Sequence, residues 1–145
     1  MKITSSAFEH QKEIPSSYTC DGQDINPPLT ISDVPSEAKD LVLIVNDPDA
    51  PNKTWVHWTV WNINPDQKKI IEDSVPKEAQ EGVTDFGNSG YGGPCPPSGE
   101  HRYFFKLYAL DEKLDLPPRS DINQLEEAMT GHVLEKAALI GIYSR

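Results

Sequence analysis

The sequence predicts a mainly β protein, a β-sandwich with a few peripheral helices near its C-terminus. Three segments lead to that class. Residues 40–46 (Asp-Leu-Val-Leu-Ile-Val-Asn) form an apolar run between polar bounds, the pattern of a strand buried on both faces. Residues 54–63 set aromatic against β-branched side chains (Trp55, Val56, Trp58, Val60, Trp61, Ile63), which suits a pleated, packed surface. Residues 101–110 add Tyr103, Phe104, Phe105, Leu107 and Tyr108 and read as a third central strand.

The remaining elements are shorter. Residues 2–8, 29–31 and 138–143 read as weaker strands, and residues 76–81 as a short helical turn. A helix is expected after Ser120, which can cap it. Asp121 stands in the first turn, where a negative charge suits the dipole. Ile122, Leu125 and Met129 recur at spacings of three and four, and Thr130-Gly131 ends the pattern. A second helical turn is expected from His132 to Ala137, with Val133, Leu134 and Ala137 inward. Thirteen prolines and nine glycines fill the gaps, without internal repeats.

A chain of 145 residues is expected to form one domain, residues 1–145. At this length roughly 68–70% of the unfolded surface is buried, enough for a core. With 13 basic and 23 acidic residues the net charge is −10, which argues against binding nucleic acid or an anionic membrane surface. The first residues lack the apolar core of a signal peptide and no segment is long enough to span a bilayer, so a cytoplasmic protein without membrane insertion is expected. In that compartment Cys20 and Cys95 are expected to be small, partly buried thiols rather than a disulfide, and their spacing fits no zinc motif.

Function is concentrated in two patches. Asp47-Pro48-Asp49-Ala50-Pro51 precedes Trp55-Val56-His57-Trp58, and Gly92-Gly93-Pro94-Cys95-Pro96-Pro97 precedes His101-Arg102-Tyr103. Each pairs a proline-stiffened turn with a strand histidine, the ingredients of a preformed polar pocket. By strand alternation His57 shares a face with Trp55, Thr59 and Trp61, His101 with Tyr103 and Phe105, and Asp47 with Leu41, Leu43 and Val45. Aligned neighbours would bring Asp47, His57, His101 and Tyr103 to one end of a sheet. Competing readings exist for each. Asp47 or Asp49 can serve as a turn residue accepting backbone N–H bonds. Arg102 points away from His101 and reads as a structural ion-pair partner. His10 and His132 read as surface or packing residues. The segment from Gly87 to Gly93 lacks the ending of a phosphate-binding P-loop and reads as a loop that supplies backbone donors. No nucleophile elbow or Cys–His nucleophile spacing is present. Two histidines and an aspartate leave a 2-His-1-carboxylate metal site as the chemical alternative.

These same blocks resemble the signatures of the phosphatidylethanolamine-binding protein family, which includes the Raf kinase inhibitor proteins and plant flowering-time regulators. Asp47 to Pro51 with Trp55-x-His57 resembles the first signature, and Gly93-Pro94 through His101-Arg102-Tyr103 the second. Tyr18-Thr19-Cys20-Asp21-Gly22 with Pro27-Pro28-Leu29, and Gly131-His132-Val133-Leu134 through Tyr143, are similar to the short prokaryotic branch. The resemblance implies a Greek-key β-sandwich with a small pocket for phosphate-type anions. It implies that Asp47, His57, His101 and Tyr103 line the pocket and that Pro94 forms its rim. Compared with eukaryotic members the chain is short at its N-terminus and ends at Ser144-Arg145 without a pocket-flanking helix. That difference weighs against lipid binding and control of a Raf-type kinase. The short Asn52-Lys53-Thr54 link implies an open pocket mouth.

The expectation is therefore a non-enzymatic binding protein for a phosphomonoester or phosphorylated partner, with a kinase-type protein partner and no cofactor or metal. The alternative is a metal-assisted or His/Asp acid–base hydrolase of a phosphorylated small molecule. Three tryptophans on one strand suggest more aromatic surface than the strand can bury, and hence a homodimer. The proline-rich rim suggests a cis X-Pro bond, first at Ala50-Pro51.

Overall fold

The structure, a computed structural model, describes residues 1–145. Nine strands form two sheets: β1 (Lys2–Thr4), β2 (Lys12–Glu13), β3 (Leu29–Ser32), β4 (Asp40–Asp47), β5 (Trp55–Ile63), β6 (Lys69–Ile70), β7 (Gln80–Glu81), β8 (Glu100–Leu110) and β9 (Val133–Ser144). One sheet has the order β1-β3-β6 and the other β2-β9-β8-β4-β5-β7. Neither is closed. After β5 the chain crosses away and returns as β8 on the far side of β4, the Greek-key step of the sandwich.

The alternation of β4 explains its central place. Leu41, Leu43 and Val45 enter the core between the sheets, with Trp58, Val60, Tyr103, Phe105 and Leu107. Val42 and Ile44 face the other way and pack with Trp61, Leu110 and Leu114 under the one α-helix, α1 (Ile122–Met129), through Leu125 and Met129. Both faces of β4 are thus buried, as its unbroken apolar run requires.

Two β-bulges in β5 decide where its side chains go. Val45 pairs with Trp58 while Asn46 pairs with Val56, so His57 is an extra residue. Leu43 pairs with Val60 while Leu41 pairs with Ile63, so Trp61 and Asn62 together oppose Val42, with Asn62 at φ +58°. A bulge shifts the alternation by one. His57 and Trp58 therefore both serve the inner side, whereas Trp61 lies on the outer one, contrary to the strict alternation that grouped His57 with Trp61. Trp58 and Trp61 are fully buried on opposite faces, and the Trp58 Nε1–H donates to Glu81 Oε2 at 2.6 Å. The aromatic excess that suggested a homodimer is absorbed within the chain.

Five local expectations are corrected. Residues 76–81 form no helix: a turn at 77–78 leads into β7, Gln80–Glu81, which pairs with β5. The segment from His132 to Ala137 belongs to the turn before β9 and to β9 itself, with Val133 and Leu134 exposed rather than inward. Its pairing along β8 overrides the local helical pattern. The α1 cap is Asp121, which accepts from the Gln124 N–H while Gln124 accepts from the Asp121 N–H, a capping box. Ser120 instead donates to the Pro117 carbonyl at 2.6 Å. No peptide bond is cis, Ala50-Pro51 included. Finally, Cys20 and Cys95 form a disulfide with Cα atoms 5.5 Å apart. Compartment reasoning missed it because topology lays the two segments side by side: Cys20 N–H donates to Pro94 O at 3.1 Å, and Gly93 N–H to Asp24 Oδ1 at 2.8 Å.

Candidate anion pocket

Asp47 ends β4, His57 sits in the first bulge of β5, and His101 and Tyr103 open β8. Since β4 lies between β5 and β8, these strand ends are neighbours. All four side chains line one cavity of about 370 Å³ and all four are buried. Pro94 is not among the lining residues. It is buried behind the wall, where its carbonyl accepts from Cys20, and Cys95, Pro96 and Pro97 form that side of the cavity.

The two imidazoles are held differently. His57 Nδ1 lies 2.7 Å from the Gly92 carbonyl. A carbonyl only accepts, so Nδ1 carries the proton and Nε2 is the nitrogen left for the cavity. Burial pushes the His57 pKa below its ordinary value of 6.5, with the Gly92 carbonyl and the Asp47 charge pulling back. His101 Nδ1 lies 2.7 Å from Asp47 Oδ2, a buried contact that fixes the ring's tautomer in the same way. The other Asp47 oxygen accepts the Asp49 N–H at 2.8 Å, so this carboxylate closes its own turn while orienting the histidine.

Tyr103 lies between the rings. Its centroid is 5.3 Å from that of His57, edge to face, and 6.5 Å from that of His101 in a stacked arrangement. Its hydroxyl is buried without a hydrogen-bond partner. Burial and the Asp47 charge raise its pKa, offset only in part by the Cys95 amide, so it stays a donor.

The surroundings are built rather than loose. Asp49 accepts from the Arg102 backbone N–H, Nε and Nη2, each at 2.9 Å, and this pairing holds its carboxyl at about 2. Both residues therefore have the structural roles weighed for them. In the glycine-rich loop the amides of Gly87, Gly92 and Gly93 are already used, Gly87 N–H by the Thr84 carbonyl. Gly92 N–H donates to His57 O at 3.0 Å and Gly93 N–H to Asp24. His10 accepts from the Ile140 N–H, and His132 pairs with Asp111 beyond the end of α1, so neither reaches the cavity.

Sequence reasoning missed one wall. Phe86, about 44% exposed, meets Trp55 at 5.7 Å and His57 at 5.3 Å, both edge to face. An aromatic residue within a loop of Gly, Asn and Ser was its only signal. The 2-His-1-carboxylate alternative is not realised, since no group of three or more His, Cys, Asp or Glu side chains is placed to hold a metal ion. No helix is long and apolar enough to cross a membrane.

Comparison with known proteins agrees with this architecture. The family model described as phosphatidylethanolamine-binding protein matches residues 4–144. The UPF0098 protein of Methanothermobacter thermautotrophicus is 51% identical, covering 100% of this chain and 99% of its own. That of Aquifex aeolicus is 46% identical over 100% of this chain and 89% of its own. A crystal structure from Chlamydia trachomatis, described as a homologue of phosphatidylethanolamine-binding protein, superposes with a TM-score of 0.95 at 44% identity, covering 99% and 97% of the two chains. Escherichia coli YbcL, described as a member of the mammalian family, gives 0.93 at 31% identity, covering 99% and 98%. With its two signature blocks meeting across β4, β5 and β8 and a family match along almost its full length, the chain belongs to the phosphatidylethanolamine-binding protein family.

Proposed function

We propose that the protein binds a phosphomonoester, on a small molecule or a phosphorylated partner, in the cavity between Asp47, His57, His101 and Tyr103. The observation that carries this reading is the Tyr103 hydroxyl, a buried donor without a partner, flanked by two histidine rings whose Nδ1 positions are already engaged. A phosphate oxygen supplies the acceptor that the hydroxyl lacks. Each Nε2 accepts a proton from the ligand, or donates once the ring is protonated. Asp47 does not exclude an anion, because its charge faces His101 and the Asp49 amide at short range. Trp55 and Phe86 give the ester substituent an apolar wall.

Titration calorimetry with methyl phosphate tests the reading. Saturable one-to-one binding, weakened about tenfold or more by His101→Ala, is expected. Methyl phosphate binding that is absent, or indifferent to His101→Ala and Tyr103→Phe, would overturn it.

A further inference from the structure

A larger cavity lies elsewhere. A cleft of about 470 Å³ opens at the opposite end of β4 and β5, beside Asp40, the first residue of β4, and Ile63, the last of β5. Four lysines from four separate segments line it: Lys39, Lys68, Lys77 and Lys113. All four are exposed and none is within ion-pair distance of a carboxylate. In a chain with 23 acidic and 13 basic residues, a lining of four lysines against the three carboxylates of Asp40, Asp66 and Glu78 is a local reversal of the overall charge balance. Asp66 and Glu78 also line the cleft without neutralising any of the four at short range.

The cleft wall carries a second feature. Asp40 is 1% exposed and lines the cleft. Its Oδ2 accepts from Asn62 Nδ2 and from the Leu114 N–H, both at 3.0 Å. Its Oδ1 is buried and has no partner. Asn62, turned by the second β5 bulge, also donates to the Leu114 carbonyl at 3.0 Å, so the wall is fixed before any ligand arrives. A buried acceptor left open is unfavourable, and a ligand hydroxyl is a group that would relieve it. Glu78, at φ +67°, adds a left-handed backbone at the cleft edge.

We propose that this cleft is a second ligand site that takes a small polyanion bearing hydroxyl groups, of the sugar bisphosphate class. Its phosphates lie among the four lysines and one hydroxyl donates to Asp40 Oδ1. Four separated ammonium groups suit two phosphates better than one, and the open acceptor separates a sugar from a bare inorganic anion. The site is independent of the Asp47–His101 pocket, at the other end of the same strands.

Fructose 1,6-bisphosphate is the probe, with pyrophosphate as the control that lacks hydroxyls. Calorimetry should show binding that falls about tenfold in the Lys68→Ala/Lys77→Ala variant and again in Lys39→Ala/Lys113→Ala, at unchanged unfolding midpoints. His101→Ala should leave it intact, and pyrophosphate should bind several-fold more weakly. Loss of fructose 1,6-bisphosphate binding in His101→Ala but not in the lysine variants would overturn the proposal. So would absence of binding at millimolar probe, or equal affinity for the two probes. Failure of methyl phosphate at the first pocket would leave this result untouched.

Discussion

His101 Nδ1 and Asp47 Oδ2 meet at 2.7 Å across 54 residues of sequence, joining the start of β8 to the end of β4. The contact turns two strand ends into one wall of a pocket. It also leaves Tyr103, two residues along β8, as the polar group in that wall without a partner.

Tyr103→Phe separates binding from stability. The lost hydroxyl donates to no acceptor, so the free protein should keep its stability to within about 1 kcal/mol. Methyl phosphate affinity should fall roughly tenfold, because a donor to the anion disappears. Urea unfolding and calorimetry on one preparation check both halves. A variant that is strongly destabilised would mean that the hydroxyl serves the fold.

His57 makes stability depend on pH. Its folded pKa lies below the unfolded value near 6.5, because burial disfavours the cation. Between those two values the unfolded chain binds more protons, so stability rises with pH across the window. It is lost as pH falls below about 6.5, until the folded value is passed. Denaturant midpoints from pH 5 to 8 should slope upward, and His57→Gln should flatten the slope. Anion binding runs the other way. Protonated His57 gains a second donor, so methyl phosphate should stabilise the protein more at pH 5.5 than at pH 8.

The Cys20–Cys95 bond closes a loop with a sequence separation of 75 residues. By loop-closure entropy its removal should cost about 4 kcal/mol. Cys20→Ser/Cys95→Ser should unfold at clearly lower denaturant than the parent, and intact mass with and without reductant should report one bond. Equal stability of the two proteins would show that neighbouring contacts alone hold the segments.

The central strands and the convergence of Asp47, His57, His101 and Tyr103 were legible because apolar runs and strand polarity are local signals. The grouping of His57 with Trp61 failed at a β-bulge, which depends on the register against β4 rather than on β5 itself. The 133–137 segment was misread because helical spacing in a short stretch yields to an eleven-residue partner strand, β8. Pro94 is assigned to the rim by the family resemblance alone, and the structure lines the cavity with the next residues of the same loop, Cys95, Pro96 and Pro97. Phe86 and the disulfide depend on loops meeting in space, which no spacing within either loop records.

Gly93 is where those loops press together, and it carries the last prediction. A Cβ at this position would lie 2.2 Å from the Tyr18 carbonyl oxygen, 2.6 Å from Asp24 Oδ1 and 2.9 Å from Thr19 Cα. Two of these neighbours are backbone, so no rotamer change relieves the clash. The 91–95 segment would have to move off the 16–22 turn, losing the Gly93–Asp24 and Cys20–Pro94 hydrogen bonds, and would carry the His57–Gly92 contact with it. Gly93→Ala should therefore cost about 2 kcal/mol or more, with slower closure of the disulfide on refolding and weaker methyl phosphate binding. Gly99→Ala is the control, since a Cβ there meets nothing within 4 Å and bears only the strain of φ +73°. Calorimetry and unfolding of the two variants side by side decide the matter. If Gly93→Ala proves no worse than Gly99→Ala in both measurements, the pocket wall is not set by this close approach.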